Sequence, residues 1–302
     1  MLLQVAAIFA NVITPVFGLV IIGYIAGPRL NLTAQTLSRF AYFILLPAFV
    51  FNVISAAEVQ ARLVIQMIIF IVVVHIGCAL VGFIVARLLQ RSAKMIAAYV
   101  LIAVFGNVGN FGLPIIEFRL GAEAIVAATI YFLAIITIAF IIGVAAANWH
   151  QGGRWTPMLA VFKTPALIAI VPALLLNWID FEPPLFMSRI IILLAGGMIP
   201  TMLVALGVQL ASMQTWQISP DMLIATLVRL IAGPALAIVL AMPFGLTGIE
   251  RGAGIFQAGM PAAVLASIIA LEYNLLPDFV TTTVLFSTLL SVITLTLLLA
   301  FV

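Results

Sequence analysis

The chain has 302 residues, of which 66% are hydrophobic and only 7% charged, where a soluble domain carries about 25% charged residues. That excludes a soluble domain and defines an integral membrane protein. The formal charge of +3 points to no acidic partner or nucleic acid, because the basic residues gather at the ends of apolar runs, where they set orientation.

The long apolar runs predict an all-α membrane protein rather than a barrel, whose strands would alternate. Ten spans are predicted, at roughly 4–27, 33–56, 62–89, 94–118, 122–147, 159–179, 185–211, 220–243, 248–272 and 278–301. Charged residues mark the joints, from Arg29 and Glu58 to Glu250, Arg251 and Asp278. Trp149, Trp155, Trp178 and Trp216 all fall near span ends, as an interfacial belt would. Spans one and six are the least marked, so counts of eight or nine stay open. Cys78 is the single cysteine, which excludes an internal disulfide. No cleavable signal peptide is expected, since the first basic residue is Arg29 and the first apolar run is too long.

An internal repeat runs through these spans. Pro15, Pro47 and Pro114 recur as Pro165, Pro200 and Pro261, at separations of 150, 153 and 147 residues, and Ser38-Arg39 recurs 150 residues on as Ser188-Arg189. Each half holds five spans, and an odd number makes the second half insert upside down. The prediction is two inverted five-helix repeats, 1–147 and 158–302, joined by a cytoplasmic linker at 148–157. Arg29, Arg39, Arg87, Arg91, Lys94, Arg154 and Lys163 share one membrane face, and Arg62, Arg119, Arg189 and Arg251 the other. The larger set is cytoplasmic by the positive-inside rule, which puts both termini on the extracytoplasmic side.

Span four contains Gly106-Asn107-Val108-Gly109-Asn110-Phe111-Gly112-Leu113-Pro114. Three glycines weaken a helix there. Pro114 lacks an N–H, and its ring crowds the carbonyl of Asn110. Span nine contains Phe256-Gln257-Ala258-Gly259-Met260-Pro261, where Pro261 crowds the carbonyl of Gln257 in the same way. In lipid, a freed backbone group must find its partner inside the protein. Such breaks are expected against other helices or a wet cavity, and broken helices near mid-membrane are where secondary transporters bind cargo. Close packing by small residues explains one such break equally well. Two, at matching places in the halves, favour a binding site. Each freed carbonyl belongs to a residue with a side-chain amide, which offers donor and acceptor without net charge.

His75 and Arg229 lie near the middles of spans three and eight, the repeat equivalents. Ionisable groups at that depth are costly and face a cavity or a partner. Arg229 stays charged and reads either as attracting an anionic substrate or as a structural cation held by carbonyls of a broken helix. His75 reads as a proton relay or as a neutral imidazole hydrogen-bonded between helices. His75 and Cys78 share a helix face, but two ligands make no metal site, and no cofactor is expected. Every Asp and Glu lies near a span end, so no buried carboxylate serves a coupling cation. Thr281 to Thr283 and other hydroxyls of span ten are expected to satisfy helix backbones. The chain lacks the metalloprotease, serine-hydrolase and aspartate-dyad motifs of enzymes. A channel builds its pore from rings across subunits, whereas an inverted repeat in one chain fits alternating access.

Gly106-Asn107-x-x-Asn110-x-Gly112-Leu113-Pro114, Leu46-Pro47-Ala48 and Met260-Pro261-Ala262 resemble the auxin efflux carrier family over essentially the whole chain. The family is similar in architecture to bile acid sodium symporters. The resemblance implies that spans four and nine unwind and cross at Pro114 and Pro261. It implies a scaffold of spans one, two, six and seven, often dimeric, and organic anions as substrates: auxin in plants, malate- or malonate-like acids in bacteria. The long loop between halves of many plant members is absent here, and span nine lacks the acidic sodium ligands of bile acid symporters. The expected protein is thus a homodimeric secondary carrier of a small organic anion in the cell membrane, working by alternating access and exporting. A gated anion channel or a membrane sensor with the same ligand site is the alternative. The expected substrate-binding residues are Asn107, Asn110, Gly112, Pro114, Gln257, Met260, Pro261 and Arg229, with His75 as a proton relay.

Overall fold

The structure is a computed structural model that describes residues 2–149, 163–179, 181, 183–212 and 218–302. Most of the expected linker 148–157, together with Arg154, Trp155, Asp180, Glu182 and Trp216, lies outside the described residues. The helices in chain order are α1 (Val5–Arg29), α2 (Ala34–Ser55), α3 (Ala61–Leu88), α4 (Ala93–Val104), α5 (Leu113–Leu120), α6 (Ala124–Trp149), α7 (Pro165–Trp178), α8 (Leu185–Ala211), α9 (Pro220–Ala241), α10 (Gly248–Ala258), α11 (Val264–Glu272) and α12 (Pro277–Phe301). Seven of them, α1, α2, α3, α6, α8, α9 and α12, are long and apolar enough to cross a membrane. Helices suit this composition because each satisfies its own backbone, which lipid cannot do. Where helices start near water, side chains cap them. Thr33, Ser92 and Ser219 accept hydrogen bonds from the backbone N–H groups of Thr36, Met95 and Met222, each the expected use of a short hydroxyl.

Prolines inside the spans are accommodated by a specific device. Four π-helical turns, Phe9–Ile13, Ala41–Leu45, Val108–Gly112 and Val228–Ala232, each end two residues before a proline: Pro15, Pro47, Pro114 and Pro234. Thr14 and Leu46 donate to the carbonyls of Phe9 and Ala41, five residues back rather than four. The wider turn moves the carbonyl that the pyrrolidine ring would otherwise strike. Pro114 therefore does not break span four. It sits in the first turn of α5, and the break lies upstream, at Phe105–Asn107.

The helices form two groups. In the first, α1 packs on α8, α2 on α7, and α2 on α8. The α1–α8 crossing is close because a Cβ on Gly23 would strike the Val204 carbonyl, and one on Gly207 would strike the Val20 carbonyl. Small residues that bring backbones into contact are what holds helices together in lipid. The second group holds α3 to α6 and α9 to α12. There α3 packs on α4, α6 and α9, α6 packs on α4 and α10, and α12 packs on α9 and α11. The groups meet where α8 touches the turn Val108–Gly112, where α5 touches the turn Phe9–Ile13, and where α2 touches α6. The turn Val108–Gly112, which follows the break in span four, thus lies on the seam between them.

Candidate functional site: the crossing of two broken helices

α4 ends at Val104 and α10 at Ala258, and their continuations cross as extended chain. Gly106 and Ala262 form an isolated antiparallel bridge. The Asn107 N–H donates to the Pro261 carbonyl at 2.7 Å, and the Ala263 N–H donates to the Phe105 carbonyl at 2.8 Å. The Ala262 N–H donates to Ser287 Oγ on α12 at 3.1 Å, and that hydroxyl donates to the Val284 carbonyl at 2.8 Å. The extended chain beyond each half-helix thus keeps these N–H groups paired inside the protein, as burial requires. The crossing lies at Gly106 and Ala262, not at Pro114 and Pro261. Pro261 is next to it, whereas Pro114 is eight residues away along the chain.

Arg229 completes the crossing. It is 1% exposed. Nε donates to the Met260 carbonyl at 2.9 Å, Nη1 to the Ala103 carbonyl at 2.6 Å, and Nη2 to the Ala258 carbonyl at 3.3 Å. One guanidinium therefore ties both broken helices. The carbonyl ends of α4 and α10 carry partial negative charge, which favours a cation. These carbonyls, and not those of Asn110 and Gln257, are the ones the breaks set free. The Gln257 carbonyl still accepts from the Met260 N–H at 3.4 Å. Gly106 is required here, because a Cβ would overlap Arg229 Nη2.

The amides expected to bind substrate separate into two kinds. Asn107 and Gln257 are buried at the crossing. The Asn107 carbonyl accepts from the Phe111 and Gly112 N–H groups at 3.1 and 3.2 Å. Gly112 in turn lies against the Gln257 amide, where a Cβ would overlap Oε1. Gln257 Nε2 donates to the Ala128 carbonyl of α6 at 3.1 Å. Asn107 Nδ2 and Gln257 Oε1 have no hydrogen-bond partner, so one buried donor and one buried acceptor stand unpaired, one on each broken span. Asn110 is half-buried on the π-turn that meets α8, and its amide makes no hydrogen bond among the described residues. Met260 and Pro261 are buried and take part through their carbonyls.

His75 is fully buried on α3. Its Nδ1 lies 2.9 Å from the Ile71 carbonyl, one turn back on its own helix, and its Nε2 is unpartnered. It makes no hydrogen bond to the crossing. Among the described residues, no group of three or more His, Cys, Asp or Glu could hold a metal ion. Four hydroxyls of α12 behave as expected, with Thr283, Thr288, Ser291 and Thr296 donating to carbonyls of their own helix, whereas Thr294 Oγ1 is buried without a partner. Ser287 does more by also accepting from the crossing. Sequence alone gave no signal for that, since it reads like its neighbours.

Two discontinuous helices, joined by a short bridge and a buried arginine, with unpaired amides at the joint, define a membrane transport protein. A profile of the membrane transport protein family matches residues 8–152 and 156–299, and the chain belongs to that family. A candidate malonate transporter of Rhizobium meliloti (strain 1021) is 26% identical over 299 residues, covering 95% of this chain and 93% of its own length. An uncharacterized transporter of Methanocaldococcus jannaschii is 24% identical over 281 residues, covering 88% and 89%. Auxin efflux carrier component 1 of Arabidopsis thaliana is 34% identical over 67 residues, 22% of this chain and 11% of its own. The resemblance to the auxin efflux carrier family is borne out.

Proposed function

We propose that this transporter is a secondary carrier of small organic anions, with a dicarboxylate such as malonate as the first candidate. The observation that carries the reading is the orphaned pair, Asn107 Nδ2 and Gln257 Oε1, at the joint of two broken helices. Leaving buried polar atoms unpaired costs about 1–3 kcal/mol each, and a substrate that pairs with them recovers that cost. One carboxylate oxygen accepts from Asn107, and a protonated or hydroxyl group donates to Gln257. Asn110 closes the site from the seam. The chain restarts after each break, at the turn Val108–Gly112 and at α11, with N-terminal ends that favour negative charge. Arg229 adds positive charge while its hydrogen bonds hold the carbonyls. Gly112, Pro114, Met260 and Pro261 shape the walls. His75 makes no hydrogen bond to the crossing and is assigned the role of a proton relay.

The same reading takes the chain as ten crossings in two inverted repeats, 1–147 and 158–302. In support, exchanging the halves maps the α1–α8 contact onto α7–α2. It maps α3–α6 onto α9–α12 and α3–α4 onto α9–α10. Alternating access follows as motion of one helix group against the other across the seam. A homodimer in the cell membrane, with both termini extracytoplasmic, completes the proposal.

The test is counterflow. Vesicles preloaded with unlabelled malonate should accumulate external labelled malonate transiently, and malonate should raise the unfolding temperature. Flux that never saturates and shows no counterflow would make the protein a channel.

A further inference from the structure

A groove of about 390 Å³ opens on the outer side of the second helix group, between α9, α10 and α12. Each helix, with the residue after it for α10 and α12, lines the groove over eight residue steps: Leu230 to Ile238, Arg251 to Gly259, and Thr294 to Val302. At 1.5 Å per residue the groove is therefore about 12 Å tall along the helix axes. α10 runs opposite to α9 and α12, so Arg251 shares one end of the groove with Ile238 and Val302. Gly259 shares the other end with Leu230 and Thr294. The wall is apolar except for Arg251 and Thr294. Arg251 lies in the first turns of α10, where the chain enters the membrane, and its guanidinium makes no hydrogen bond or ion pair among the described residues. The opposite end reaches Gly259, between the two carbonyls of α10's end that hold Arg229, and Leu230, the neighbour of Arg229 in its π-turn.

A cation at the membrane surface above an apolar trough that descends into the hydrocarbon matches one chemistry: an anionic headgroup carrying an acyl chain. We propose that this groove binds a single anionic phospholipid, with its phosphate on Arg251 and one chain laid down to Gly259. A soluble anion has no use for the apolar wall. A zwitterionic lipid brings its own cation and gains less from Arg251. Because the chain's tip rests behind the crossing, an occupied groove braces the loop that carries the Ala258 and Met260 carbonyls. The site is separate from the proposed substrate site, and its test does not depend on transport.

Protein released from nanodiscs of equal parts phosphatidylglycerol and phosphatidylcholine is examined by native mass spectrometry. One phosphatidylglycerol should be retained, with about a tenfold preference over phosphatidylcholine, the scale of one hydrogen bond to a charged group. Arg251→Gln should abolish the preference and Arg251→Lys should keep most of it. Ala235→Phe, which fills the exposed wall of the groove, should lose the bound lipid with Arg251 intact, and Leu297→Trp serves as a second plug. Equal retention of the two lipids by the native protein would overturn the proposal. So would a phosphatidylglycerol preference that survives either Arg251→Gln or both plugs, since the headgroup would then bind elsewhere.

Discussion

Replacing Arg229 with Met keeps most of the apolar stem and deletes the guanidinium, so the carbonyls of Ala103, Ala258 and Met260 lose their donors at once. Each buried carbonyl left unpaired costs about 1–3 kcal/mol. Removing a buried charge returns part of that, because its desolvation is no longer required. With three carbonyls stranded and part of the desolvation returned, a net loss of about 3 kcal/mol or more remains. At about 2–4 °C per kcal/mol, the unfolding temperature should fall by at least about 6 °C. The assay is thermal unfolding in detergent, read by tryptophan fluorescence, with Arg229→Lys alongside. An ammonium reaches fewer of the diverging carbonyls than a planar fork does, so Lys should recover only part of the loss. Unfolding of Arg229→Met within about 2 °C of the native protein would refute the view that this residue pins the two broken helices.

Gly106→Ala and Gly112→Ala each place a methyl on an occupied position, against Arg229 Nη2 and Gln257 Oε1. Both should reduce counterflow several-fold, and Gly106→Ala should also lower the unfolding temperature; normal flux in both would remove the crossing from the mechanism. Asn110→Ala should weaken malonate binding about tenfold or more with no change in the unfolding temperature of the ligand-free protein, because its amide bonds nothing. Gln257→Ala should lose both affinity and some stability, since it also removes the hydrogen bond that ties span nine to the Ala128 carbonyl of α6. Unchanged malonate shifts in the two variants would place the substrate elsewhere. For topology, cysteines at Gln60 and Gly153 in a Cys78→Ala background should label from opposite sides, with Gly153 reached only from the cytoplasm; external labelling of Gly153 would reverse the orientation. For energetics, a potassium–valinomycin potential, applied without sodium or pH gradients, should drive substrate toward the positive side, because each charge gains about 2.3 kcal/mol per 100 mV. His75→Gln should keep that flux, and flux that follows only a pH gradient and disappears in His75→Gln would establish proton coupling instead.

Several parts of the site were legible before any coordinates. Two segments with glycine, amide and proline at matching places in the halves mark both breaks, and they do meet. Arg229 at mid-span announces a buried charge that needs acceptors, and carbonyls of a broken helix were one of its two readings. What misled was the proline. Local reasoning gives each proline a carbonyl four residues back to displace, which points to Asn110 and Gln257. The π-turns absorb that clash at Pro114, and the chain breaks at Phe105–Asn107 instead, where Gly106 leaves room for a guanidinium.

Composition and charge placement determine, by themselves, that the chain lies in a membrane as helices, because a backbone in lipid has no other way to satisfy itself. The paired breaks determine that two helices are discontinuous. Only the tertiary structure decides which groups repair them. The partners of Ala103, Ala258 and Met260 come from 29 to 126 residues away, and Ser287 reaches Ala262 from another helix. No local pattern encodes such distances in sequence. They arise when α9, α10 and α12 pack around the bridge. That packing also leaves Asn107 Nδ2 and Gln257 Oε1 unpaired, while near-identical amides elsewhere in the chain, such as Asn177, find backbone carbonyls to bind.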